Sequence, residues 1–172
     1  MNKEANKKGD ATEGLVYGEN HAFWVSAPDG WILDNESGSR QGLYAVFYPK
    51  GTSWKSSNAV MYVNTSARKD KDRLEDFIAG DVEHFKDNGS RSIKITNADP
   101  IKTKDNKLAQ VKLFSGDQWN NNEVAAYIQE NKIFVMIVLT SRTESDFHNS
   151  FEAFQALVRS YQFLTEDVQI EK

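Results

Sequence analysis

Cysteine is absent from this chain of 172 residues. That excludes a thiol nucleophile, an iron–sulfur cluster and any cysteine zinc site. It does not assign a redox compartment, because disulfide-free proteins occur on both sides of a membrane. Long apolar runs are missing too. A spanning helix needs about 18 consecutive apolar residues, and the most apolar stretch, Ile133 to Leu139, has the length of a strand. There is no basic excess: Lys and Arg number 21 against 25 Asp and Glu, for a net charge of -4 and a pI of about 5.4. The short basic clusters Arg68-Lys69 and Lys71-Arg73 are interleaved with Asp70 and Asp72. Nucleic acid, which is met by a basic face, is therefore not the expected partner.

What is present describes a globular body with a generous polar surface: 39% hydrophobic residues and a mean hydropathy of -0.63. Chains of roughly 150 residues bury about 70% of the surface their unfolded form exposes, enough for a core without metal or disulfide staples. Residues 1–18 read as a flexible N-terminal tail, 19–165 as a single α+β domain and 166–172 as a C-terminal tail. Two readings of the polar tail are open. One is a cytosolic start at Met1. The other is a tether left after removal of an export signal, which suits an exported, periplasmic or lipid-anchored protein.

The first strand is expected over Ala22 to Ala27, stopped by Pro28, which cannot donate a ladder hydrogen bond. Asp29-Gly30 makes a turn, and Trp31 to Leu33 restarts an extended segment. Leu43 to Tyr48 and Ala59 to Val63 are the next strands. The period then changes. Leu74, Phe77, Ile78, Val82 and Phe85 fall on one helical face, with Asp72 and Glu75 as a capping pair and Asn88-Gly89 as the stop. Gly80 inside this helix costs about 1 kcal/mol relative to alanine, which implies close packing against it. Short strands follow at Ser92 to Thr96, Ile101 to Lys104, Lys107 to Phe114, Glu123 to Gln129 and Ile133 to Thr140. The last is apolar on both faces and belongs at the centre of the sheet. Phe147, Phe151, Phe154, Val158 and Tyr161 form a second helical stripe, with Thr143 or Ser145 as its cap. Gln162 to Leu164 can add an edge strand. The sum is an α+β fold: a mostly antiparallel sheet of six to seven strands with two helices packed on it.

This order, with an early strand ending in Pro28-x-Gly30-Trp31, a helix over Leu74 to Phe85, an antiparallel meander and a Phe-rich closing helix running into Ser160-Tyr161-Gln162-Phe163, resembles the PsbP-like superfamily. Its fold is shared by the Ran-binding Mog proteins, the DcrB-like proteins and the photosystem subunit that names it. The resemblance spans about Glu19 to Leu164. It implies a fold, and it carries over no functional residue.

Catalytic motifs are not found. Gly38-Ser39-Arg40-Gln41-Gly42 lacks serine at the middle of a nucleophile elbow, and Ser66-Ala67-Arg68-Lys69 lacks the partners of a Ser-x-x-Lys enzyme. His84 has Asp81 and Asp87 at helical spacing, and His148 has Glu144 and Glu152. Both sets read as solvated helix faces before they read as metal ligands, and His21 reads as a surface residue. The oxygen-rich stretch Asp117 to Glu123 departs from calcium-loop spacing and is equally a hairpin loop. No catalytic residue, cofactor or metal ligand is assigned. The aromatic signal is stronger. Trp54 and Trp119 lie in polar loops, where tryptophan is a frequent contact residue. Tyr48, with Tyr44 and Tyr62, can line a neighbouring sheet face. Trp54, Trp119 and Tyr48 are the candidate contacts of a protein or peptide partner. Two other functions stay open: a small-molecule or lipid pocket between sheet and helix, and a metal- or carboxylate-dependent enzyme.

Overall fold

The computed structural model describes residues 12–87 and 89–169. Most of the N-terminal tail, the helix stop at Asn88 and the last three residues lie outside the described residues. Ten strands and two α-helices are described, in the order β1 (Glu13–Gly18), β2 (His21–Ser26), β3 (Trp31–Asp34), β4 (Ala45–Pro49), β5 (Ala59–Ala67), α1 (Leu74–Asp87), β6 (Gly89–Lys102), β7 (Leu108–Asp117), β8 (Asn122–Gln129), β9 (Ile133–Ser141), α2 (Glu144–Ser160) and β10 (Gln162–Thr165). Seven strands form one sheet in the order β3-β4-β5-β9-β8-β7-β6, and β1-β2-β10 form a second. Every pairing is antiparallel. The expected α+β architecture is what the chain adopts.

β9 runs between β5 and β8, and its register explains its composition. Ile133, Val135, Ile137 and Leu139 enter the larger core, while Phe134, Met136 and Val138 face the other way. On the first face lie α2, contributing Phe147, Phe154, Leu157 and Val158, and the inner side of the small sheet, contributing Val16, Phe23 and Val25. Each side chain of this size, once buried, contributes about 1.5–3 kcal/mol. α2 is capped as its sequence indicates: Thr143 Oγ1 accepts the Asp146 N–H at 3.1 Å. On the second face lies α1, whose Phe77 stacks on Phe134 at 4.5 Å and whose Phe85 meets Phe114 at 4.9 Å.

Five expectations are corrected. Glu13–Gly18 is not tail but strand β1, paired along β2. Two of its inward positions are glycines, which hid the alternation. A Cβ on Gly14 would come within 2.6 Å of the Leu33 Cδ1, so a larger residue here would make the Leu33 side chain shift. His21 is buried at 4% exposure, held between the rings of Phe23 and Tyr44 at 5.8 and 5.4 Å, and burial lowers its pKa. Asp72 does not cap α1. Its carboxylate accepts the Lys69 N–H at 2.9 Å, and the Leu74 N–H goes to Gln129 on β8 at 3.1 Å. The two short strands expected after α1 are one strand, β6, with register shifts on either side of the regular stretch. Pro100 is tolerated in it because β6 is the sheet edge. Gly80 has nothing within 4 Å of a Cβ built on it, so close packing does not explain it.

A buried polar clasp joins distant parts of this frame. Lys107 Nζ lies 2.8 Å from Asp105 and 2.7 Å from Glu130. The Tyr161 hydroxyl donates to Glu130 at 2.8 Å, and the Phe163 N–H donates to Asp105 at 3.0 Å. The β6–β7 turn, the β8–β9 turn, the end of α2 and β10 therefore meet at one point. Burial works against ionisation of Asp105, but hydrogen bonds from Lys107, Thr103 and Phe163 hold its carboxyl below the usual range. Lys107 is also desolvated, yet its two carboxylates raise its pKa.

Lys107→Met leaves Glu130, 8% exposed, without its counter-charge. The full cost of breaking a buried pair is about 3–5 kcal/mol, and the partly open Lys107 reduces this to about 2–3 kcal/mol. The variant carrying Lys107→Met with Glu130→Met is expected to lose less than the sum of its single changes. Urea unfolding at pH 7 measures both.

Candidate functional site

α1 has 14 residues and, like any helix, is about 10 Å thick. It packs over β6 and β8 and, among the described residues, leaves the β4–β5 side of the second face uncovered. The residues that alternate toward that side, Val60, Tyr62 and Asn64 of β5 with Met136 and Thr140 of β9, form the floor of an open cleft of about 620 Å³. Leu43, Trp54, Asn121 and Arg142 wall it. Trp54 stands half-buried at its lip, edge-on to Tyr62 at 6.5 Å. The loop that carries Trp54 is closed on itself. Gly51 has φ 81°, the Ser57 N–H donates to the Ser53 carbonyl at 3.0 Å, and the Ser57 hydroxyl donates to the Ala59 carbonyl at 2.7 Å. The tryptophan is therefore presented by a held loop, not a loose one.

Two further clefts adjoin this one. A cleft of about 520 Å³ shares Asn64 and Met136 with it and runs along α1, lined by Asp76, Phe77, Gly80 and Asp81. On the other side of Trp54 a cleft of about 420 Å³ is lined by Ser37, Arg40, Ser53 and Lys55. Tyr48 lines none of these three clefts. Its hydroxyl donates to Asp34 at 2.8 Å, and Asp34 in turn accepts the Glu36 and Ser37 N–H groups at 2.8 and 2.9 Å. Burial opposes the charge on Asp34, but the hydrogen bond from the Ser37 hydroxyl at 2.6 Å, with those from the Ser37 and Glu36 N–H groups and Tyr48, brings its pKa down to about 2. Tyr48 thus holds the loop that walls the smaller cleft.

Trp119 is 67% exposed on the β7–β8 loop, two residues from the cleft-lining Asn121. The oxygen-rich composition of that loop has a local use. The Asp117 carboxylate accepts the Trp119 N–H at 3.1 Å and the Asn121 N–H at 2.8 Å, and Asn120 takes φ 57°. Among the described residues no three His, Asp or Glu side chains group as metal ligands. His148 pairs with Glu144 at 3.5 Å on an exposed helix face.

Sequence reasoning missed a polar cluster under α1. Tyr127, fully buried, donates its hydroxyl to Asp81. Burial pushes the Glu123 carboxyl up to about 7, the charges of Asp117 and Asp81 add to this, and a hydrogen bond with Thr140 opposes it. Burial, followed by Glu123 and Asp81, raises the Tyr62 pKa as well. One signal was available: Asp81 follows Phe77 and Ile78 by four and three residues, so it interrupts the apolar stripe of α1. A second surface was also missed. Leu15, Tyr17, Trp24 and Leu164, 40–54% exposed, lie on the outer side of the small sheet.

No protein-family model matches the chain, and no curated protein does. Solved structures do. Cyanobacterial PsbP (CyanoP) from Synechocystis sp. PCC 6803 aligns over 94% of this chain and 98% of its own, with a TM-score of 0.59 and 16% identity. LpqN, involved in cell envelope biogenesis of Mycobacterium tuberculosis, aligns over 88% and 90%, with 0.61 and 11%. The Saccharomyces cerevisiae Ran-binding protein Mog1p aligns over 88% and 94%, with 0.52 and 13%. The chain has the PsbP-like fold that these proteins share.

Folding raises the Glu123 pKa from 4.5 to about 7, so the native state holds a proton that the unfolded chain releases earlier. At this site stability falls as pH rises from about 4.5 to about 7 and then levels. Glu123→Gln is expected to remove this slope and to gain about 1–3 kcal/mol at pH 8 relative to pH 4; chemical denaturation across that range measures it. Gly80→Ala, whose new methyl meets nothing within 4 Å, is expected to stabilise the protein by about 1 kcal/mol, read as a rise in the urea midpoint.

Proposed function

We propose that the chain is a non-catalytic binding or accessory module of the cell envelope that engages a protein partner through the trough around Trp54. The observation that carries this reading is the presentation of Trp54. A large amphipathic ring stands at the lip of an open cleft, on a loop fastened by its own hydrogen bonds. Rigid aromatic anchors beside a depression are where interface energy concentrates. Trp119, exposed and two residues from the cleft-lining Asn121, is the second contact in this reading. Tyr48 takes a positioning role through Asp34.

The acidic groups near the trough favour binding over catalysis. Asp81 accepts from Tyr127, Asp117 is occupied by its own loop, and Glu123 does not line the cleft. The clefts lie beside α1 and open outward, while Phe77, Ile78 and Phe85 fill the layer between helix and sheet. This arrangement suits a segment of another protein better than an enclosed lipid. Two proteins of the same fold supply the setting: one is described as Ran-binding, the other as involved in cell envelope biogenesis.

The test uses the immobilised chain to capture proteins from a native envelope extract, quantified against single variants. Trp54→Ala is expected to weaken the specific partner by about 2 kcal/mol, about thirtyfold, with little change in Tm. Trp24→Ala is expected to leave it in place. A partner lost with Trp24→Ala and kept with Trp54→Ala would move the binding site to the small sheet and defeat the proposal.

A further inference from the structure

The two clefts that share Asn64 and Met136 form one continuous trough. It follows β5 from Val60 to Ser66, six residue steps of about 3.3 Å, or about 20 Å. That is the length of an extended peptide of about six residues. The trough is also electrically polar. Its Trp54 end carries Lys55 and Arg142, and neither side chain has an ion pair among the described residues. Its α1 end carries Asp76 and Asp81. Between them lie Tyr62 and Met136, with the amides of Asn64 and Asn121 able to donate to and accept from a peptide backbone.

Gly80 adds an independent observation. Glycine in a helix interior costs about 1 kcal/mol, and here no packed neighbour requires it. Gly80 lines the α1 end of the trough, and a side chain there would project into open space.

We infer that the trough receives an extended segment of the partner protein that carries carboxylates where it meets Lys55 and Arg142, an apolar side chain over Tyr62 and Met136, and a basic side chain beside Asp76 and Asp81. This rests on the reading of the trough as the partner site. Like charges at either end would be repelled, so the polarity selects both the partner and its direction along β5.

The experiment titrates the isotope-labelled full chain with three octapeptides. One has two glutamates, a central leucine and two lysines in that order. One has the same composition with the charges interleaved. One replaces the charges with serine. The first is expected to shift the Trp54 indole and Gly80 amide resonances and to bind at least tenfold more tightly than the others. The variant carrying Lys55→Glu with Arg142→Glu is expected to lose that preference and to regain affinity for a peptide with lysines in place of the glutamates. Gly80→Phe is expected to block the trough, with thermal unfolding reporting that it is folded. Equal binding of all three peptides at Trp54 and Gly80 would overturn the charge assignment and leave the trough as partner site intact. No shift at Trp54 or Gly80 with any peptide would overturn this inference, and the effect of Trp54→Ala on the native partner then decides the trough itself.

Discussion

A sheet of seven strands is about 29 Å across at 4.8 Å per gap, and a single helix about 10 Å thick covers only two or three strands of it. The first face escapes this limit because α2 is joined there by the small sheet, and together they bury a continuous core. Among the described residues the second face has α1 alone. Part of that face must therefore stay open, and its residues must tolerate water on one side. Tyr62, Asn64, Met136 and Thr140, half-buried and of mixed polarity, meet that requirement. The trough is a consequence of coverage rather than of a loop folded to make a pocket.

Polar ties join distant parts of the rest of the structure. The clasp of Lys107, Glu130, Asp105 and Tyr161 ties two hairpin turns to the end of α2. The Ser160 hydroxyl adds a tie to β2, accepting the Ser26 N–H at 2.9 Å. On the other side, Tyr127 and Asp81 seat α1 on β8. Polar groups placed inside a core in this way stabilise little on their own account, but each is costly to leave unpaired. They fix which turn meets which helix end, and the Tyr127–Asp81 bond fixes α1, the helical wall of the trough, on β8.

Much of the fold was legible because local chemistry and packing agree there. The Pro28-Asp29-Gly30-Trp31 turn is one example. Gly30 takes φ 80° and the Trp31 N–H donates back to the Pro28 carbonyl at 3.0 Å. The double-faced β9 and the Thr143 cap are others. What escaped shares a cause. β1 has glycine where a strand pattern expects an apolar residue, and the Leu33 side chain packs into the space that this leaves. His21 is buried rather than exposed, because the small sheet turns one side inward and the other to solvent, and its third strand comes from residues 162–165. Of the candidate contacts, Trp54 was legible as an unusual loop residue, whereas the role of Tyr48 depends on Asp34, fourteen positions earlier.

The sequence by itself determined the type and order of most elements, the α+β class and the absence of thiol and cysteine-metal chemistry, because these follow from residue types, periodicity and turn propensity over short stretches. Only the tertiary structure decided which strands became neighbours, that three of them left to build a second sheet, and which half of the main sheet went uncovered. These depend on contacts between residues far apart in the chain, which no local pattern encodes. The trough between Trp54 and Gly80 belongs to that second class: its floor, lip and helical wall come from β5, β9, the loop before β5 and α1, and no stretch of sequence shows them together.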